Sequence, residues 1–477
     1  MYVDIHCHPQ FKTFIGSEHQ TERKNCWTNL NFDVGLGILD SQSSLSQLVK
    51  GQVKLAVVPL YALENVFARA KLIQLAAGLS QHAKKRFLQK IEREEFGYFE
   101  LMLADLNHLL NSANVSADKQ FRLLTSGSQF DTGSPHLQIM LCAEGGHNFY
   151  DNVQRFGQTQ KVIDQLLFFK LPQSPRLVYI TITHLSHSAF CTHAFGMKML
   201  RSDAFNPQGR GLSNLGKRFI REALSTTNGN RILIDVKHMS LITRQQFYAL
   251  RAAEFPDAPI VASHMGLTGC SWQRKPVCKY RYDGSEKCYE VSYYRQPGVL
   301  DTYFNPWTIN LYDEDIREIL LSNGLIGLSL DQRILGCGTP AKELVSPDEF
   351  KDTDFKPIPE PRMHQLRIEE YDNPEEIKAW HLRHLCNHIL HIVRVGQPLV
   401  GNRVWQQIAI GSDFDGLIDP INYITHAGAF KYLFGGLVEW LPRMAVHAGV
   451  ELPPSEVQRV VRQVIGENAV AFLRRNI

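Results

Sequence analysis

The chain has 477 residues, 44% apolar and 21% charged, the balance of a soluble globular protein with ample material for a large core. Its formal charge of +3 is too small for its length to point to nucleic acid or an anionic membrane, and a small-molecule substrate fits better. The opening MYVDIHCHPQ lacks the basic and apolar regions of a signal peptide, no apolar run reaches membrane-spanning length, and the closing AFLRRNI is no lipid-anchor tail. Nine cysteines without a paired framework read as reduced thiols in a cytoplasmic protein. The oligomeric state, homo-oligomer or monomer, stays open.

Short apolar runs recur along the chain, separated by segments long enough for helices, which is the alternation of a parallel α/β fold. They cover 2–6, 54–60, 137–142, 177–183, 232–236, 259–263, 324–330 and 407–411. Most are apolar throughout rather than alternating, as expected of strands covered on both faces. Eight such strands predict closure into a (β/α)₈ TIM barrel. At about 150 residues per domain the length would suggest three domains. A decorated barrel, however, can exceed about 400 residues as one unit, so 1–477 reads as a single domain.

Between the strands, 68–111 reads as one or two helices with the charged run KKRFLQKIEREE, and 375–395 as another. Two stretches read as insertions. Residues 267–305 are rich in Tyr, Cys, Arg and Gly, and 337–374 in Pro and acidic residues. They follow strands six and seven, which places both at the C-terminal rim, where loops shape barrel active sites.

Ligand-type residues stand at the C-terminal ends of the apolar runs. His6 and His8 end strand one, Glu144 ends strand three in CAEGGH, and His184 ends strand four in TITH. His238 ends strand five in IDVKH, His264 strand six in VASH, and Asp413 strand eight in IGSDFDG. Any one of them alone reads as a hydrogen-bonded structural residue. Random placement would also scatter such residues over strand starts and helices, so seven at one end point to a shared site. His6 and His8, two apart, project to one side of an extended strand, and imidazole with carboxylate is the donor set preferred by zinc-like ions. A bridging carboxylate such as Glu144 could hold two ions about 3.5–4 Å apart, an arrangement suited to hydrolysis.

GSDFDG, AEGGH, the strand-four Thr-His, the histidines of strands five and six and the late IGENAVAFL occur in the order typical of membrane dipeptidases. Over most of its length the chain resembles the renal or membrane dipeptidase branch of the amidohydrolase superfamily. The resemblance implies two divalent ions, zinc foremost: one on His6, His8 and Asp413, the other on His238 and His264, with Glu144 bridging. It implies a metal-bridging hydroxide as nucleophile, Asp413 as proton carrier, and His184 as a substrate contact rather than a ligand. Arg274, ten residues after His264, corresponds by distance to the arginine that grips a substrate carboxylate. Arg281 and Arg333 are alternatives.

The chain departs from the family at two places. His6-Cys7-His8 replaces the usual His-x-Asp, which leaves the cluster more positive by one charge and favours nitrogen-preferring metals. At strand seven, an aromatic substrate-contacting position falls at or beside Asp331 in GLSLDQRILG. Asp415 reads as a loop-fixing carboxylate. Lys237 is not needed as a carbamylated bridge, and strand alternation points it away from His238. His381, His384, His388 and His391 share one helical stripe that reads as structure, on a helix far from the rim. Cys270, Cys278 and Cys288 match no zinc-site spacing.

The function expected is hydrolysis of a dipeptide or related amide. An ester, lactone or N-acyl amino acid substrate is the enzyme alternative, and a non-catalytic metal-binding barrel the alternative of another class.

Overall fold

A computed structural model of the chain describes residues 1–16, 25–31, 39–70, 85–150, 159–196, 203–338, 342–359, 371 and 373–477. Eight strands follow one another as β1 (Tyr2–Asp4), β2 (Val53–Leu60), β3 (Leu137–Glu144), β4 (Leu177–Thr181), β5 (Leu233–Asp235), β6 (Val261–Met265), β7 (Leu325–Leu328) and β8 (Ile408–Ile410). They lie in that order in one sheet, each parallel to its neighbour. The Ile5 amide donates to the Ile410 carbonyl at 2.9 Å and the Asp413 amide to the His6 carbonyl at 2.9 Å, so β1 closes onto β8. This is a (β/α)₈ barrel.

The apolar strands fit that closure. Leu55 and Val57 of β2 belong to one buried cluster with Val3, Met140 and Leu325, whereas Ala56, Val58 and Leu60 join the cluster that includes helix residues such as Leu45, Phe67 and Leu101. Successive side chains thus fill the barrel and its helical coat in turn. Phe472 and Leu473, on the C-terminal helix Asn468–Asn476, share the inner cluster.

The two insertions meet. Val277–Asp283 and Cys288–Tyr293 of the first form an antiparallel hairpin, and Glu343–Val345 of the second pairs with Cys288–Tyr293. A second hairpin, Asn114–Ser116 with Lys119–Leu123, has no counterpart in the sequence reading, and its second strand pairs parallel with the start of β3. Among the described residues, the stretch expected to be one or two helices holds Lys85–Glu92 and Tyr98–Leu110, with the short helix Asn65–Arg69 running into its start. Its residues 71–84, and 339–341, 360–370 and 372 of the second insertion, lie outside the described residues.

β5 is shorter than its apolar run, and this corrects the expectation for Lys237. The strand ends at Asp235, with one further amide, that of Val236, donating to the Val261 carbonyl at 2.9 Å, and His238 takes a left-handed backbone at φ 65°. Strand alternation therefore does not carry through to 237 and 238. Lys237 is buried, and burial pushes its ammonium below the usual range against the pull of Asp413, Asp331, Asp235 and Glu144.

Candidate metal centre

Barrel closure brings the strand ends together. Glu144 Oε1 lies 3.5 Å from His6 Nε2, 3.2 Å from His238 Nε2 and 3.5 Å from His264 Nε2, while Oε2 lies 3.3 Å from His8 Nε2. Asp413 completes the ring, with Oδ1 3.5 Å from His8 Nε2 and Oδ2 4.0 Å from His264 Nε2. Two atoms each about 2.1 Å from one tetrahedral ion stand about 3.4 Å apart, so these gaps are the size of shared coordination shells. Three groupings have ligand atoms mutually within 4.8 Å: His6, Glu144 and His264; His6, His8 and Asp413; and Glu144, His184 and His238.

The nitrogens are prepared for a cation. Tyr179 on β4 donates its hydroxyl to the Ile5 carbonyl at 2.6 Å and so accepts from His6 Nδ1 at 2.9 Å. In the same way Ser263 donates to Asp235 and accepts from His264 Nδ1 at 2.7 Å. Both rings then carry their proton on Nδ1 and turn an Nε2 lone pair inward. Among the described residues, the buried Nε2 atoms of His6, His8 and His264 have no hydrogen-bond partner. Orphaned buried nitrogens are costly, and a donor set of four imidazoles and two carboxylates fits a pair of zinc-type ions.

Burial pushes the His6 ring down, but the charge of Glu144 lifts it well above its ordinary value, so an ion on its Nε2 would take the place of a proton. Burial pushes the Glu144 carboxyl up, but His6, His184 and His238 outweigh it and hold it well below the usual range. Burial pushes His238 down to about 3 and His264 well below its ordinary value, which keeps both rings neutral with free lone pairs. Burial raises Asp413, reinforced by the charge of Glu144 and opposed by His8 and His6.

Backbone strain gathers here too. His238 and Asp413 both have positive φ, as do Asp415 and Leu417. Such conformations cost about 1–3 kcal/mol each and persist where surroundings over-determine them. Gly416 is needed beside them, because a Cβ there would lie 2.1 Å from Asp413 Oδ1.

The cluster opens into a small cleft of about 50 Å³ lined by Phe11, Tyr61, Phe67, Leu185, Gly416 and Leu417 together with His8, Glu144, His184, His238 and Asp413. Arg274 is exposed and is not among the residues lining it. Arg281 lies on the first insertion's hairpin, paired with Glu290 at 3.0 Å. Asp331 is buried and held by Nε and Nη2 of Arg333 at 2.6–3.1 Å, and Arg333 also donates to the carbonyl of cleft residue Leu417 at 3.1 Å. The strand-seven acid thus anchors an arginine that braces the cleft wall. Asp415 accepts from the Gln42 amide, from the Ser43 amide and hydroxyl, and from Lys12 at 2.7–2.8 Å, which is the loop-fixing role expected of it.

Sequence reading missed Glu64, at the end of β2. It is buried, lies 2.9 Å from His184 Nδ1, and accepts from the Tyr61 hydroxyl. An acid three residues beyond Tyr61 in YALENVF was the available signal, since strands two and seven were the strand ends without a ligand candidate.

The helical histidine stripe does not converge. On the helix Pro374–Val400, His381 accepts from the Asn422 amide, His384 from the Tyr303 amide and His388 from the Leu267 amide, at 3.0–3.2 Å. His388 also donates to the Leu335 carbonyl at 3.0 Å, and His391 pairs with Asp313 at 2.7 Å. These partners follow β6, β7 and β8, so the helix pins the loops behind the rim. That corrects the expectation that it lies far from the rim. All nine cysteines are free thiols, Cys270, Cys278 and Cys288 included.

No family model and no curated sequence matches the chain. Solved structures do. Dipeptidase AC, a metallopeptidase of family M19, superposes with a TM-score of 0.54 at 15% identity, covering 100% of this chain and 98% of its own. A metallopeptidase from Rhodobacter sphaeroides, liganded with a phosphinate mimic of the dipeptide L-Ala-D-Ala, gives 0.54 and 15% over 100% and 99%. The chain shares the barrel fold of these two metallopeptidases. Among the described residues no helix is long and apolar enough to cross a membrane.

Proposed function

We propose that this chain is a cytoplasmic metal-dependent hydrolase of dipeptides or related amides, working with two divalent ions, zinc by the nitrogen-rich donor set. The observation that carries the reading is the convergence of six ligand-type side chains on one point, with buried, partnerless nitrogens at the mouth of the barrel. His6, His8 and Asp413 would hold one ion, His238 and His264 the other, and Glu144 would bridge. When bound, the pair supplies a Lewis acid for a carbonyl and acidifies water toward neutral pH.

The chain's own residues supply the rest. Asp413, raised by burial, takes the proton of the attacking water and passes it to the leaving amine. His184, on the cleft wall, contacts the oxygen of the scissile carbonyl. Phe11, Tyr61, Phe67 and Leu417 give the substrate an apolar seat that excludes water.

A second reading draws on the exposure of Arg274. Among the described residues no arginine lines the cleft, which favours an amide or ester with no free carboxylate to be gripped. The test is a screen of free dipeptides, their C-amidated twins, N-acyl amino acids, esters and lactones with zinc-, cobalt- and manganese-loaded protein. Preference for the free dipeptide by about tenfold or more supports the first reading, since amidation removes a charge-assisted bidentate partner. Equal turnover of both forms supports the second. No turnover of any acyl substrate by fully metallated protein would return the chain to a metal-binding barrel without catalysis.

A further inference from the structure

Glu64 follows β2 at the N-cap of the helix Asn65–Arg69, yet its side chain makes no capping hydrogen bond. It turns into the barrel mouth instead. At 2% exposure the carboxylate is buried, and its Oε1 lies 2.9 Å from His184 Nδ1 and 3.4 Å from the Ser186 hydroxyl. Its Oε2 accepts from the Tyr61 hydroxyl. His147 Nε2 is 3.9 Å away but donates to the Ala62 carbonyl at 2.7 Å. Burying a carboxylate costs several kcal/mol unless nearby groups compensate. A fold needing only a cap or a filler at position 64 gains nothing from that cost.

The gain is in His184. Its ring is walled by Tyr61, Phe67 and His238, with centroids 5.1, 5.8 and 4.7 Å away. Packing of this kind restricts tilt but does not decide which nitrogen faces the cleft. The hydrogen bond to Glu64 does. A carboxylate can only accept, so Nδ1 carries its proton there, and Nε2 is the nitrogen left for the cleft that His184 lines beside Glu144 and His238.

We infer that Glu64 is a positioning residue for the proposed hydrolysis: its carboxylate takes the Nδ1 hydrogen bond of His184 and fixes the ring with Nε2 toward the reacting carbonyl. The inference rests on the hydrolase reading for the reaction, and on the hydrogen bond alone for the orientation. Tyr61 and Ser186 hold Glu64 in turn.

The experiment compares Glu64→Ala, Glu64→Gln, His184→Ala and the double variant Glu64→Ala/His184→Ala, all zinc-loaded, on the best substrate of the screen. Glu64→Ala is expected to lower kcat about 30- to 100-fold with KM changed less than about threefold, the pattern of a lost transition-state contact. Glu64→Gln should recover to within about fivefold of the parent, because its amide oxygen still accepts from Nδ1. The double variant should be no slower than His184→Ala, since Glu64 acts only through that ring. Losses that add in the double variant would overturn the inference. So would zinc content that falls in Glu64→Gln.

A crystal structure of metal-loaded Glu64→Gln, with Glu64→Ala where it folds, supplies a readout independent of turnover. A His184 ring held as in the parent by Gln and turned or split by Ala supports positioning. A ring unmoved by Ala overturns it. If the parent protein cleaves nothing, the hydrolase reading fails while the ring's response still decides what Glu64 does.

Discussion

Two regions of this molecule are rich in histidine, and they use it in opposite ways. At the barrel mouth, His6, His8, His238 and His264 come from three strand ends and face one carboxylate, and three of their buried Nε2 atoms have no hydrogen-bond partner among the described residues. Along the helix Pro374–Val400, four histidines come from one element and diverge to separate amides, a carbonyl and a carboxylate. Spacing alone would have favoured the helix as a metal ladder. Accounting for the nitrogens reverses that choice, because His384, His388 and His391 have both ring nitrogens occupied and so no lone pair to offer, and His381 spends its Nδ1 on the Asn422 amide.

The sharpest way to break this contrast is to remove the carboxylate shared at the mouth. Glu144→Ala should carry fewer than one ion per chain by elemental analysis and lose at least about 10³-fold in activity, since ligand and bridge go together. Two ions retained in that variant would end the binuclear reading. His264→Ala should keep the ion on the His6 and His8 side and lose the other.

Asp413→Asn keeps an oxygen donor of the same size but not its basicity. Activity should fall about 10²- to 10⁴-fold while most of the metal remains. A variant that loses metal and activity in proportion would make Asp413 a ligand only.

On the helix, His388→Ala leaves the Leu267 amide and the Leu335 carbonyl without their partner. Urea denaturation should show a loss of about 1–3 kcal/mol, with ion content unchanged. Loss of ions from this variant would erase the distinction between the two regions.

The smallest effect is in the pH dependence of stability. Burial lowers His384 and His388 to about 3 and His381 to about 4, so all three are neutral in the folded chain and protonate near 6.5 only when it unfolds. The unfolded state therefore binds more protons as pH falls below about 6.5, and stability should drop progressively toward pH 4. His388→Gln should make that fall shallower, and an unchanged slope would show that this histidine does not contribute to it.

The barrel and its metal-facing residues were legible because each signal was local: an apolar run, then a histidine or carboxylate where the run ends. Glu64 was hidden for the same reason, since in YALENVF it reads as the start of a helix and only the fold shows its side chain turned to His184. The orientation of Lys237 depended on a left-handed residue at His238 that no propensity foretells. The helix's bracing role was invisible because its partners, from Leu267 to Asn422, are reached only when three loops fold back over it. Likewise, Glu343–Val345 and Cys288–Tyr293 share a sheet across some fifty residues of intervening chain.

Closure of the barrel at β1 and β8 has a consequence for how the protein is made. Asp4 accepts from the Ser412 amide at 2.9 Å, and the two residues are 408 positions apart. During synthesis β1 can pair with β2 early, but Asp413 reaches His6 and His8 only with the last strand. Docking of the last strand buries Cys7 completely and leaves the flanking histidines facing Glu144. The donor set at the mouth is thus complete only in the closed barrel.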